Sequence, residues 1–293
     1  MAQTWFITGA SSGFGLDLAL VALKAGHRVI GTVRCTSKSA SAVAAIKAQG
    51  GHILELDVTK ADHIPAVVKQ ANAIHGGVDI LVNNAGYSLL GAVEDMKEDE
   101  VKLQMETNFF GPLRLIRALL PTLRARGTMP ENNQSTIVNI SSVAGHDVPP
   151  SCGLYSASKF ALEGLSDALA LETAAFNINV LIVEPGAFRT NFLSKSATKR
   201  PTEPLSEPYR GGIVDETLAK YNAADGRQRG DPRKAVERVF EVVTGTGEAG
   251  GLRGKILRLP LGPDCVERLE GKIGRLQRDL ELTRRVAMGT DFD

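Results

Sequence analysis

An α/β domain built on a doubly wound parallel sheet is the fold class this sequence predicts, and three observations predict it. Strand-like and helix-like patterns alternate along nearly the whole chain, which is the rhythm of consecutive parallel strands joined by helices. Gly26, Gly50 and Gly76 each follow a helix pattern, where a residue leaving a helix in the left-handed conformation is expected. The first strand pattern runs through a glycine-rich turn directly into an apolar helix.

The elements follow in order. Thr4-Trp5-Phe6-Ile7-Thr8 is a short apolar strand over 4–8, and an apolar helix over 13–25 comes after the glycine turn. The alternation continues with a strand over 28–33, a helix over 39–49, a strand over 52–56, a helix over 63–75 and a strand over 79–82. A long helical stretch over 98–124 precedes the β-branched run that ends in Ile140-Ser141-Ser142, read as a buried strand over 137–141. A helix over 155–176, a strand over 179–184, a helix over 232–244 and a strand over 255–259 bring the sheet to seven strands. Two stretches, 127–134 and 187–231, are richer in Pro, Gly and charge. The second is long and has no clear strand, which suits a binding or lid segment, with a variable surface insertion as the alternative. In the terminal stretch 263–287 the spacing of Val266, Leu269, Ile273, Leu276 and Leu280 suits an amphipathic helix packed on the sheet layer or on a partner subunit.

Composition narrows the function. At 293 residues the chain can bury a substantial core within one domain spanning 1–293. A net charge of +1 gives no electrostatic reason to propose nucleic acid or an anionic membrane as partner. No apolar stretch reaches the ~18 residues of a spanning helix. A strand pattern begins by residue 4, leaving no room for a signal peptide, so a soluble cytoplasmic protein is the expectation. Cys35, Cys152 and Cys265 are widely spaced, so reduced thiols and no metal site are expected. Cys152 reads as a small, partly buried thiol, with a place in the wall of a cleft as the other reading.

Chemistry concentrates in Tyr155-Ser156-Ala157-Ser158-Lys159, which puts a phenol and an ammonium on one face of a helix. A phenol titrates near ~10, and lowering it by one unit takes about 1.4 kcal/mol, so a nearby cation is needed for work near neutrality. Lys159 is placed to supply it. Ser142 stands at the carboxyl end of a strand, where ligands sit on a parallel sheet. Gly9-Ala10-Ser11-Ser12-Gly13-Phe14-Gly15 lets backbone and a helix N-terminus approach a pyrophosphate. His146 lies just beyond Ser142 and reads as a solvent-facing residue or a cleft wall.

With these residues in place the chain resembles the short-chain dehydrogenase/reductase family, in its common single-domain branch. The resemblance rests on Thr8 to Gly15 as Thr-Gly-x-x-x-Gly-x-Gly, Asn83-Asn84-Ala85-Gly86, Asn108, Ser142, Tyr155-x-x-x-Lys159, and Pro185-Gly186 with Thr190, all in the family's order. It implies a Rossmann-like sheet flanked by helices and a catalytic set of Asn108, Ser142, Tyr155 and Lys159. In that set Tyr155 passes a proton to or from the substrate oxygen and Lys159 lowers its pKa and bonds the ribose. Ser142 hydrogen-bonds the carbonyl oxygen, and Asn108 holds a water that links Lys159 to solvent. It further implies a nicotinamide dinucleotide lying against Gly9, Ser11, Ser12, Gly13, Phe14 and Gly15, then Arg34, Asp57, Val58, Asn84, Ala85 and Gly86. Tyr155, Lys159, Pro185, Gly186, Phe188 and Thr190 complete the cofactor contacts.

Cofactor choice turns on Val33-Arg34: where NAD-preferring relatives usually carry an aspartate this chain has Val33, followed by an arginine able to pair a 2′-phosphate. NADP(H) is therefore the expected cofactor and NAD(H) the alternative. Ser12, at a position where many NADP-using relatives have Lys or Arg, counts the other way. Asp57 resembles the family aspartate that contacts the adenine amino group, although a strand-end Asp also caps turns.

The details Ser-Ser-Gly-Phe-Gly, Thr-Val-Arg and Arg258-Leu259-Pro260-Leu261-Gly262 look like the subgroup of retinol and 17β-hydroxysteroid dehydrogenases and microbial secondary-metabolism reductases. The implied reaction interconverts a ketone and a secondary alcohol on a small lipophilic or polycyclic substrate. The alternatives are the same fold used for cyclisation or dehydration, or as a dinucleotide-sensing binding protein. The resemblance allows a homodimer or a homotetramer, since the family often dimerises through helices like 98–124 and 155–176.

Overall fold

The computed structural model describes residues 1–129, 134–194 and 197–292. Parts of both Pro- and Gly-rich stretches, 130–133 and 195–196, thus lie outside the described residues. Seven strands form one parallel sheet, in the order β3-β2-β1-β4-β6-β7-β9. They are β1 (Thr4–Ile7), β2 (Arg28–Val33), β3 (His52–Glu55), β4 (Ile80–Asn83), β6 (Ser135–Ile140), β7 (Ile178–Pro185) and β9 (Arg258–Leu261). The chain winds outward through β2 and β3 and then crosses back to β4. β1 therefore lies between β2 and β4, with Phe6 level with Ile30 on one side and Leu81 on the other. That reversal is the switch point at which an open α/β sheet leaves a crevice at its carboxyl edge.

Period-two alternation sorts the apolar side chains onto two faces. Trp5, Ile7, Val29 and Val183 pack beneath α1 (Gly13–Lys24) and α8 (Pro232–Thr244), against Leu18, Val236 and Val239. Phe6, Ile30, Leu81 and Ile137 pack beneath α3 (Ile64–His75) and α5 (Gly111–Gly127), against Val68, Leu115 and Leu119. Each such buried side chain contributes about 1.5–3 kcal/mol of transfer free energy. Asp79, just before β4, ties the layers at their lower edge. Its carboxylate accepts from the Thr4 amide at 2.8 Å and from Arg126 Nε at 2.6 Å.

Three expectations are corrected. The helix expected over 98–124 is α4 (Glu98–Met105), a π-helical turn (Glu106–Phe110) and then α5. The widened turn carries the buried Asn108, and single π turns inside helices are common at functional sites. The strand expected over 255–259 begins only at Arg258, because the chain before it is held in turns: Gly254 has a φ of +68° and the Lys255 amide bonds the Leu252 carbonyl. The stretch 187–231 also contains elements that were not foreseen. β8 (Thr198–Lys199) pairs in parallel with β5 (Ser88–Leu89), and α7 (Ile213–Ala224) follows. α7 buries no residue fully, but Leu218 and Tyr221, about one turn apart, pack toward the cleft.

The terminal helix α9 (Pro263–Ala287) forms where expected, but it docks on the sheet layer only through its first turns. Cys265 is its buried residue, and Arg268 and Arg275 hold Asp147 at 2.8 and 2.5 Å. Ile273, Leu276 and Leu280 remain about half exposed. None of the described helices is long and apolar enough to cross a membrane.

Candidate active site

The carboxyl ends of β1, β2, β4, β6 and β7 open onto one cleft of about 860 Å³. Every residue that the sequence nominated as catalytic or cofactor-binding lines this cleft except Gly15 and Asn108. Those two act from behind its wall. A Cβ on Gly15 would lie 2.5 Å from the Gly9 carbonyl oxygen and 2.4 Å from Asn84 Nδ2, so only glycine lets α1 start this close to the loop. Asn108 clamps the segment after β4. Its Oδ1 accepts from the Tyr87 amide at 3.2 Å, and its Nδ2 donates to the Tyr87 carbonyl and to Ser158 Oγ, each at 3.0 Å.

The glycine loop is held in the shape an anion requires. Thr8 Oγ1 accepts from the amides of Asn84 and Ala85 at 2.9 and 3.0 Å. Asn84 Nδ2 donates to the carbonyls of Thr8 and Gly9 at 2.9 and 3.2 Å. The Asn83-to-Gly86 segment therefore serves both as wall and as brace. α1 begins at Gly13 with Ser12 as its N-cap, and no side chain caps it and no acid stands in its first turn. Its leading N–H groups are left for an external anion. Gly13 has a φ of +54°, and a Cβ there would fall 3.5 Å from Thr190 across the cleft, so the missing side chain leaves the passage open. These features fit a dinucleotide pyrophosphate.

Arg34 stands exposed at the rim of the same cleft, at the end of β2. Asp57 realises both readings of its position. One carboxylate oxygen accepts from Thr59 N and Oγ1 at 3.0 and 2.8 Å, closing a turn, while the residue also lines the cleft. On the opposite wall Phe188 packs edge-on to Phe14, with ring centroids 5.4 Å apart. Thr190 accepts from the Phe192 amide at 3.2 Å.

Tyr155 and Lys159 rise from α6 (Gly153–Thr173), whose first turns pass beneath the end of β6. Both are buried, and Lys159 Nζ lies 5.8 Å from the centroid of the Tyr155 ring. Nζ donates to the Ile140 carbonyl at 2.8 Å, at the last residue of β6. Burial holds the amine down to about 8, against a smaller upward pull from Glu163. Burial pushes the Tyr155 phenol up, and its hydrogen bond with Ser142 works in the opposite direction. Ser142 Oγ accepts from the Ala144 amide at 3.1 Å, which fixes the hydroxyl beside the phenol. A proton donor, a hydroxyl that polarises it and a cation are thereby gathered at one end of the cleft.

Sequence reasoning missed two groups. Behind Lys159, His146 Nε2 lies 2.9 Å from Glu184 Oε1 and 3.6 Å from Glu163 Oε2. Arg258 Nε lies 3.0 Å from Glu163 and 3.3 Å from Glu184. His146 takes neither of the two places expected for it, since it does not line the cleft and its side chain is only 20% exposed, and its pKa is raised chiefly by the hydrogen bond to Glu184. The three ligand-type groups of His146, Glu163 and Glu184 sit within 4.8 Å of one another, and the Arg258 guanidinium already provides their countercharge. Glu163 was legible as the residue one turn beyond Lys159, whereas Glu184 and Arg258 come from distant strands. The second group lines the cleft beside Tyr155. Cys152 Sγ lies 3.3 Å from Tyr221 Oη, and Arg200 stands beside them. Tyr221 was legible as a member of the helical set Val214, Leu218 and Tyr221, whereas no local signal marks Arg200. Cys152 satisfies both of its readings, as a buried thiol that is also part of the wall.

Comparison with known proteins agrees with this geometry. Residues 3–201 match the family model described as short chain dehydrogenase. The chain is 47% identical over 221 residues to the oxidoreductase claN of Passalora fulva, covering 75% of this chain and 96% of that one. A solved short-chain dehydrogenase from Streptomyces avermitilis superposes with a TM-score of 0.85 at 41% identity, covering 99% of this chain and 98% of that one. A metagenomic short-chain oxidoreductase solved in complex with NADP is 33% identical with a TM-score of 0.58, covering 64% of this chain and 83% of the other.

Proposed function

The chain belongs to the short-chain dehydrogenase/reductase family, and we propose that it is an NADP(H)-dependent enzyme interconverting a ketone and a secondary alcohol on a lipophilic substrate. Nicotinamide dinucleotide oxidoreduction is the family's chemistry. The observation that carries the finer reading is the convergence of Tyr155, Ser142 and Lys159 at the apolar end of the cleft, beside Leu90 and Phe192.

The bound dinucleotide supplies or accepts the hydride. The protein's residues do the rest. The α1 N-terminus and glycine loop bind the pyrophosphate, Arg34 pairs the 2′-phosphate, and Asp57 and Val58 bound the adenine side. Pro185, Gly186, Phe188 and Thr190 form the wall against the nicotinamide half. In reduction, Tyr155 donates its phenolic proton to the carbonyl oxygen while Ser142 donates a hydrogen bond that stabilises the developing negative charge. In the reverse direction Tyr155 accepts the proton. Burial favours the protonated phenol, the form that donates in reduction. Lys159 stabilises the phenolate that remains and bonds the ribose. Asn108, anchored to Tyr87, keeps a water in line with Lys159 so that the proton is replaced; a Cβ at Gly86 would fall 3.2 Å from Asn108 Oδ1 and 3.8 Å from Lys159 Nζ, so glycine leaves that space open.

Incubation of the purified protein with NADPH and a panel of lipophilic ketones tests the reading. Alcohol formation with one NADPH consumed per product is expected. Product formed without NADPH consumption would replace this reading with a non-redox one.

A further inference from the structure

Arg200 stands apart from the other cations around the cleft. Its Nη2 donates to Asn222 Oδ1 at 2.9 Å, but Nη1 is buried and no group among the described residues accepts from it. No carboxylate among the described residues pairs with this guanidinium, and the ionisable groups that act on it are the Cys152 thiol and the Tyr221 phenol. Burial pushes both of those upward, so both are neutral near pH 7 and neither offers a countercharge. By contrast Arg268, also on the cleft wall, is neutralised by Asp147 at 2.8 Å.

The position of Arg200 within the cleft is equally specific. It directly follows β8, whose Lys199 carbonyl accepts from the Leu90 amide at 3.0 Å. Leu90 packs in one cluster with Cys152 and the catalytic Tyr155, and Tyr221 packs against that cluster. Arg200 therefore lies on the substrate side of Tyr155, whereas Arg34 lies at the far end with the glycine loop.

A guanidinium drawn out of water without an anion is costly, and a carboxylate placed against it recovers that cost through charge-assisted, often bidentate hydrogen bonds. We propose that the substrate supplies this anion: Arg200 recognises an anionic oxygen, a carboxylate or an ionised phenol or enol, carried by the lipophilic ketone away from its reacting carbonyl. The proposal rests on the ketone-reductase reading of the same cleft and narrows its substrate class to amphipathic acids. The apolar walls hold the carbon skeleton, Tyr155 and Ser142 hold the carbonyl oxygen, and Arg200 fixes the other end, which sets the orientation of the carbonyl.

The test uses the full chain with matched probes: 4-benzoylbenzoate and its methyl ester, and 10-oxoundecanoate and its methyl ester. Turnover is read as NADPH consumption, and binding to the NADP⁺-loaded protein is read by calorimetry. In at least one pair the acid should be favoured over its ester by about tenfold or more, a range set by hydrogen bonds to charged groups. The preference should appear in KM and Kd and should fall with added salt. Arg200→Gln should bring the ratio near unity with NADPH affinity unchanged, and Arg200→Lys should keep part of it. Acids that bind no better than esters, failure of all four probes to bind, or an unchanged acid preference in Arg200→Gln would overturn the proposal. If Arg200→Gln does not fold, Arg200→Lys and the salt dependence decide the matter in the same way. Acid-selective binding without turnover would refute ketone reduction while leaving the anion site intact; turnover of the esters with no acid preference would do the opposite.

Discussion

Lys159 donates from Nζ to the carbonyl of Ile140 at 2.8 Å, so the helix bearing the phenol is fastened to the end of the strand that leads to Ser142. This bond helps fix the spacing of Tyr155, Lys159 and Ser142. Burial of the amine holds its pKa down to about 8.

That depression makes a prediction about stability. In the unfolded chain the amine titrates near 10.5, so between about pH 8 and 10.5 the unfolded state binds more protons than the folded one and stability gains from rising pH. Below about pH 8 the folded protein bears the full penalty, on the order of 3 kcal/mol. Denaturant unfolding of the wild type and Lys159→Met across this window should show the difference in stability moving in favour of the wild type as pH rises. A difference independent of pH would show that the amine is not depressed.

Tyr155→Phe removes one hydroxyl and keeps the ring, which packs against Phe192 at 5.8 Å between centroids. NADPH binding should stay close to wild type while turnover falls by about 10²–10⁴-fold or more, the contribution of a positioned general acid. Activity within a few-fold of wild type would remove Tyr155 from the proton-transfer role.

Arg34→Ala tests cofactor choice. Loss of a charge-assisted contact to the 2′-phosphate should weaken NADPH roughly 10- to 100-fold and leave NADH binding unchanged, as read by fluorescence titration. Equal effects on both dinucleotides would mean that Arg34 does not distinguish them.

Gly15 and Gly164 make a contrasting pair. In Gly15→Ala the new Cβ meets backbone at 2.5 Å, so a cost of about 1–3 kcal/mol and weaker dinucleotide binding are expected. Gly164 is exposed within α6 and has nothing within 4 Å of an added Cβ, so Gly164→Ala should stabilise by roughly 0.5–1 kcal/mol through helix propensity. Thermal or denaturant melts of the two variants should move in opposite directions.

The parts of the site that were legible in sequence share a physical origin: each is a short-range relationship. Tyr155 and Lys159 share a face because a helix repeats every 3.6 residues. Ser142 reaches the cleft because it follows the end of a buried strand, and the glycine loop is recognisable because a strand, a turn and a helix follow one another without a break. The π turn at Asn108 was not visible, because its five residues, Glu106–Phe110, are too short a run to show a period of their own.

The sequence by itself determined the seven parallel strands, their helices and the cleft end to which each motif is delivered, since periodicity and turn chemistry are local properties of the chain. Tertiary structure alone decided which side chains meet across that cleft. Glu163, Glu184 and Arg258 come from one helix and two strands, and only the β6-β7-β9 order brings them to His146. Arg200 and Tyr221 reach the Tyr155 end of the cleft because β8 pairs with β5 and α7 folds back over Leu90 and Cys152. Contacts of that kind depend on burial and long-range pairing, for which a linear pattern of residues carries no period.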